Sequence, residues 1–168
     1  STQVGALTTT ALGGLTSTEM HAWTTTQLGG LTTTQLGGLA TSVLDNLGTT
    51  NLGALTATQV QGLKTAQLDA FTSTDLQAIT VANLTTQQIA GLTSTAVGNL
   101  STTQAEGLTS TQIGALTTSA LGGFTSTEVR AWTTTQLGGL TSAQVGALTT
   151  TVLDNLGTTN LGALTSTQ

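Results

Sequence analysis

The sequence predicts an all-α repeat solenoid built from one short capped helix per eight residues. Three observations predict it. An eight-residue phrase recurs along the whole chain, the phrase carries a helix-capping signature, and its apolar positions lie three apart.

The phrase is plainest in TTTQLGGLTTTQLGGL, residues 24–39, where it is written twice. Octads start at residue 8 and run every eight residues to the one at 72. A five-residue unit, TVANL at 80–84, breaks the phase. Octads resume at 85 and continue to the one at 157, with partial units at 1–7 and 165–168. A longer period overlies this one: residues 1–59 align with 110–168 at an offset of 109, with 12 differences and no gaps. TSTEMHAW at 16–23 and TSTEVRAW at 125–132 mark that super-repeat. The expected organisation is a single continuous array over 1–168, cut from a longer one, since both ends fall inside an octad.

Position 1 of the octad is usually Thr, and position 4 is most often Gln, as in Thr24 and Gln27. Thr-x-x-Gln is a capping box. The N-cap hydroxyl accepts from the N3 amide while Gln reaches back to the N-cap amide. Glu19 and Glu128 keep the box and suit the positive end of a helix. Position 8 of the preceding octad then becomes the residue before the cap, and position 5 the fourth helical residue. An apolar pair there, such as Trp23 and Leu28, forms a hydrophobic staple.

Positions 5 and 8 share one helical face, so both point to a core. Position 6 accepts Gly13, His21, Asp45, Gln61, Glu106 and Arg130, which only a solvent-facing place can do. Position 7 is nearly always Gly, Ala or Asn, which lets the chain turn sharply and neighbours approach. A helix of about six residues is unstable alone, because isolated helices need about 12–15 residues. Stacking of successive units supplies what each lacks. One continuous helix fails: eight residues at about 100° each leave roughly 80° of drift per octad.

The alternative is a β-solenoid. Thr and Val favour strands, and Gly disfavours helix by about 1 kcal/mol relative to Ala. An unbroken strand, however, would send alternate leucines to opposite faces, since the apolar spacings are odd.

Composition excludes several functions. Net charge is -5, and only Lys64 and Arg130 are certain cations, too few to neutralise a nucleic-acid backbone. No apolar run approaches the roughly 20 residues of a membrane span. The chain has no Cys, so neither disulfides nor thiolate metal sites arise.

Individual candidates are sparse. His21 is the only His, its super-repeat counterpart is Arg130, and no partner is spaced to ligate metal with it. Met20 aligns with Val129 and reads as core. Trp23 and Trp132 stand where Leu is usual, as large core residues or, on a rival reading, as sugar-stacking platforms. Asp45-Asn46 and Asp154-Asn155 precede Gly48 and Gly157. They read as helix terminators, with calcium binding as the rival. Asn83-Leu84-Thr85 and Asn99-Leu100-Ser101 match the N-glycosylation pattern, as chance allows in a Thr-rich chain. No Ser-His-Asp set exists to be assembled. The expected site list is therefore empty: no catalytic, cofactor-binding or metal-binding residue.

LTTTQLGGL, LTSTQIGAL and LTSAQVGAL resemble the Thr/Gln octapeptide arrays of very large exported bacterial proteins, often labelled adhesin-like. The resemblance covers essentially the whole chain. It implies a secreted or surface location and a stalk or adhesive role, and it carries no binding residues over. The functional expectation is a structural segment of an extracellular filament, stalk or giant adhesin, without catalysis. The alternative is ice or glycan recognition by a flat Thr-x-Thr array, which needs the β-solenoid. Expected partners are other copies of the chain, end to end or laterally, and surfaces or glycans, with no nucleic acid and no membrane insertion.

Overall fold

The computed structural model describes residues 2–168, side chains at 151 and 155 excepted. Short α-helices of the octads follow one another along the chain, from Thr2–Gly5 to Thr150–Leu161, and the described residues contain no strand. The β-solenoid alternative is thereby excluded. The chain divides into two compact units, Ser1–Leu84 and Thr85–Gln168. The boundary falls immediately after the five-residue unit.

Helix starts follow the capping rule. Thr24, Thr32, Thr109 and Thr133 all have extended backbones, and each hydroxyl accepts a hydrogen bond from the N3 amide. Ala40 and Lys64 occupy position 1 without a side-chain cap. Position 1 is Gly48 in one octad and Gly157 in its super-repeat counterpart, both at φ 71°. Both follow the end of a helical segment, as the Asp-Asn-x-Gly reading expects. Gly157 is a kink inside Thr150–Leu161, which is two octad helices run together. Asn155, read from sequence with Asp154, lies outside the described side chains.

The sharp turn expected of position 7 is not made by left-handed glycine. Gly48 and Gly157 are the positive-φ glycines among the described residues, and both stand at position 1. Helices end with position 8 already extended, as at Leu39 and Leu116, or with αR residues at positions 6 and 7, as at Gly29 and Gly107.

Position 5 is buried in every octad from Leu12 to Leu137, and position 8 from Leu31 to Leu140. Fully burying a Leu contributes about 1.5–3 kcal/mol, so each unit brings two such anchors. The core is apolar and continuous within each unit because both anchors lie on the helix's inner face. Phe124 and Trp132, successive position-8 residues, meet edge-to-face at 5.0 Å between ring centres.

Coiling is read from which octads touch. Thr33–Gly38 packs on Ala57–Gln61, and Thr86–Gly91 on Ser110–Ala115, each pair three octads apart. Ser17–His21 also packs on Gly48–Gly53, four octads on. A coil therefore takes between three and four octads, so each helix has one neighbour set at each spacing. The five-residue unit occupies a slot in this scheme. Its 3₁₀ turn, Val81–Asn83, packs on Ala57–Gln61, as an octad helix at that place would. Val81 and Leu84 are buried and keep the inward spacing of positions 5 and 8.

The three-octad contact explains the small residues. The Gly62 carbonyl stands 2.6 Å from where a Cβ on Gly37 would lie, and the Gly139 carbonyl 2.6 Å from that of Gly114. Reciprocally, a Cβ on Gly62 would lie 2.6 Å from Thr33 Cα. Positions 6 and 7 of paired octads thus let backbones meet without side chains between them. This corrects the sequence reading of position 6. No described position-6 residue is buried, yet at Gly37 and Gly114 the neighbouring backbone leaves no room for a side chain.

Candidate functional site

The functional feature of this fold is a tie that repeats, made by position 4. Gln59 shows it in full. Its Oε1 accepts from the Thr56 amide at 3.0 Å and the Thr56 hydroxyl at 3.1 Å, closing the capping box. Its Nε2 donates to Leu28 O at 2.8 Å and Leu31 O at 2.9 Å, on the helix four octads earlier. One side chain thus caps its own helix and fastens it to the coil below. Gln59 is 5% exposed, so these bonds form in a largely water-free place.

The same double use recurs. In the first unit Gln35 reaches Val4 O and Leu7 O, and Gln67 reaches Leu36 O and Leu39 O. In the second, Gln144 reaches Ile113 O and Leu116 O, and Gln168 reaches Leu137 O and Leu140 O. Gln136 donates to Leu108 O at 2.8 Å and Ala105 O at 3.5 Å, and also to Glu106 O at 2.8 Å. The recurring acceptors are the carbonyls of positions 5 and 8, joined at Glu106 and Gly114 by that of position 6. The position-5 carbonyl also accepts from the position-8 amide of its own octad, as Leu28 O does from Leu31 N at 3.0 Å, while the position-8 carbonyl, past the helix end, takes its donor from the Gln amide. Asn51 is shorter and reaches one carbonyl, Met20 O, at 2.8 Å.

The candidates read from sequence do not converge. His21 is exposed, with its imidazole against Gly48, where any Cβ would collide with the ring. Met20 is fully buried, as core. Trp132 is 3% exposed, which excludes it as a sugar platform, and its Nε1–H has no hydrogen-bond partner among the described residues. Trp23 is half-buried. Asn83 is half-buried in the 3₁₀ turn, where its carbonyl accepts from Gln61 Nε2 at 3.3 Å. Asn99 caps the end of Ser94–Gly98 and is half-buried. No group of three or more His, Asp or Glu side chains gathers among the described residues as a metal site would need. No described helix is long and apolar enough to cross a membrane.

Two carboxyls are perturbed. Hydrogen bonds from the Thr16 amide, then from its hydroxyl, hold Glu19 below its ordinary value. Burial, then the nearby charge of Asp75, pushes Asp45 above its own. A shallow groove of about 550 Å³ is lined by Thr33, Thr34, Gly37, Gly38, Gln61, Gly62 and Lys64. It lies over the Gly37–Gly62 approach, and Lys64 is the one charged side chain among those lining residues.

Sequence reasoning found the box and missed the tie. The signal was present: position 4 holds Gln eleven times and Glu twice. Glu closes a capping box as well as Gln and suits the helix dipole better. A strong preference for Gln therefore asks for a second, donating end.

Among known proteins, the ALTTAQ repeat family matches residues 81–118 and 120–150. Neither the curated proteins nor the solved structures give a match. In the octad's terms the word A-L-T-T-A-Q spans positions 7, 8 and 1 to 4, the stretch that crosses from one helix to the cap of the next; residues 139–144 read GLTSAQ there. The chain is a repeat protein of short capped helices wound as an all-α solenoid.

Proposed function

We propose that the chain is a structural segment of an extracellular filament, stalk or giant adhesin, in which copy number sets length and no catalysis takes place. The recurring Gln tie carries this reading. Octads that carry Gln at position 4, such as those of Gln59 and Gln144, fasten onto the octad four units behind them, so the repeat can be extended without a new core design. Stability in such arrays is a sum of unit and neighbour terms. The resemblance to arrays of exported bacterial proteins supports a location outside the cell or on its surface. Partners in this reading are other copies, stacked end to end or laterally.

The ice or glycan alternative loses its physical basis in a helical fold. The hydroxyl of position 1 is turned back onto its own helix, as at Thr24, instead of forming an outward grid.

The experiment is to produce one, two and three tandem copies of the 109-residue super-repeat and measure particle length by electron microscopy and sedimentation. A rod that lengthens in proportion to copy number supports a structural segment. Compact particles whose length does not follow copy number would contradict it.

A further inference from the structure

A gap in the tie opens a cavity in the second unit. Val152 stands at position 4 of the octad at 149, where Gln is usual. Between it and the octad four units back lies a cavity of about 90 Å³, lined by Thr118, Leu121, Gly122, Leu148, Thr149 and Val152. One octad earlier the same place is filled. There Gln144 Oε1 accepts from the Thr141 amide at 2.7 Å, and its Nε2 donates to Ile113 O at 2.9 Å and Gly114 O at 3.4 Å. Thr141, Ile113 and Gly114 are the counterparts of Thr149, Leu121 and Gly122.

Val152 keeps the apolar base of a Gln side chain and lacks its carboxamide. The Thr149 hydroxyl still caps the helix, accepting from the Val152 amide at 3.3 Å. The reciprocal half of the box, from the Thr149 amide to a position-4 side chain, is missing. On the facing helix, Leu121 O accepts from the Phe124 amide at 3.2 Å, as Ile113 O does from the Leu116 amide at 3.2 Å. Ile113 O takes the Gln144 donor in addition to that bond, so Leu121 O has the same second lone pair to offer. The cavity therefore combines a donor residue, Thr149, with two carbonyl residues, Leu121 and Gly122, between apolar walls. Its volume holds about three waters, the room that a carboxamide needs. A carboxylate or a tertiary amide brings no donor for the carbonyls, and an ammonium brings no acceptor for Thr149.

We propose that this cavity binds a small primary amide, in the pose that the Gln144 side chain takes one octad away. The ligand's oxygen accepts from the Thr149 amide, and its nitrogen donates to the carbonyls of Leu121 and Gly122. Val43 holds the same place one super-repeat earlier, its Cγ2 3.9 Å from where a Cβ on Gly13 would lie. Ala40 stands there in place of Thr149 and brings no cap hydroxyl, so the second-unit cavity is the better-equipped copy. The site goes beyond the structural-segment reading and stands whether or not the chain serves as a filament.

Titration of the 168-residue chain with acetamide, followed by amide chemical shifts, tests it. The Gly122, Thr149 and Val152 amides should shift together and saturate, with a Kd on the order of 10 mM, as suits so small a ligand. N,N-dimethylacetamide, which keeps the acceptor and loses the donor, should produce no saturable shift at these residues, and neither should acetate. Val152→Gln supplies the carboxamide from within the chain. It should abolish the acetamide response and slow exchange of the Thr149 amide about fivefold, the effect of one added hydrogen bond. Val152→Leu fills the space without polar atoms and should also abolish the response, which keeps the test decisive if the Gln variant folds poorly. No saturable shift with acetamide, or shifts spread evenly over the chain, would overturn the proposal. So would an equal response to N,N-dimethylacetamide, because the cavity would then take any small apolar solute, or a response retained in either variant.

Discussion

Replacing Gln59 by Ala removes two functions at once, and replacing Gln27 by Ala removes one. Gln27 closes its capping box on Thr24 at 2.9 Å, but it is exposed and reaches no other coil. Its loss should cost about 1 kcal/mol, the usual value of a cap interaction. Gln59→Ala loses the same box, plus the donor to Leu28 O and Leu31 O. Leu28 O keeps a bond from the Leu31 amide at 3.0 Å, so only Leu31 O is left without a partner. An orphaned buried carbonyl costs about 1–3 kcal/mol, and the second lost bond adds about 0.5–1.5 kcal/mol. Gln59→Ala should therefore cost about 2.5–5.5 kcal/mol, about 1.5–4.5 more than Gln27→Ala.

Urea unfolding followed by circular dichroism gives the totals. Amide exchange locates the loss, which should fall on the helices that Gln59 joins. Gln59→Glu separates the two functions: it keeps the box, removes the donor and buries a charge, so it should cost at least as much as the Ala variant. Equal costs for Gln27→Ala and Gln59→Ala would show that the long-range bonds contribute nothing net and would refute the tie.

Other expectations follow from the same geometry. Thr133→Ala should cost about 1 kcal/mol by loss of the N-cap, and Thr134→Ala, one residue inside the helix, should cost much less; paired thermal melts measure the difference. Gly37→Ala should destabilise, because its Cβ would lie 2.6 Å from the Gly62 carbonyl, while Gly146→Ala, with nothing within 4 Å, should stabilise by about 0.5–1 kcal/mol. Urea midpoints of the two variants should move in opposite directions. Asp45 is held above its ordinary value, so its favourable share of stability is present in acid and is lost as pH rises through its folded-state value. Asp45→Asn should accordingly raise the melting temperature at neutral pH and leave it unchanged in acid.

The parts of the fold that sequence disclosed are the local ones. Thr24 and Gln27 are three residues apart, so the box and the helix start can be read from a single octad. Leu28 and Leu31 show their common face for the same reason, and Val81 with Leu84 keep it even in the five-residue unit. The coil was hidden because its contacts run 28 and 31 residues along the chain. That distance is not one repeat but a spacing between three and four of them. Gly37 misled for a related reason. Position 6 is solvent-facing in its own helix, and only the approach of Gly62 from three octads away removes the room for a side chain. At the site, the capping half of Gln59 was legible and the donating half was not, since a capping box already accounts for the residue. Gln's predominance over Glu at position 4 was the one trace of the second role.

The coil register itself is open to a direct measurement. The chain contains no Cys, so an introduced pair reports only on itself. A Cβ on Gly38 would lie 3.9 Å from Thr9 Cβ, three octads away and within the usual range for a disulfide. Thr9→Cys with Gly38→Cys should oxidise to a cross-link readily and in dilute solution, whereas Thr9→Cys with Gly30→Cys, one octad short of that register, should remain reduced. Mass spectrometry under mild oxidation reads both. Cross-linking of the Thr9–Gly38 pair alone is the result that coiling by three to four octads requires; cross-linking of the Thr9–Gly30 pair instead, or of both pairs equally, would contradict it.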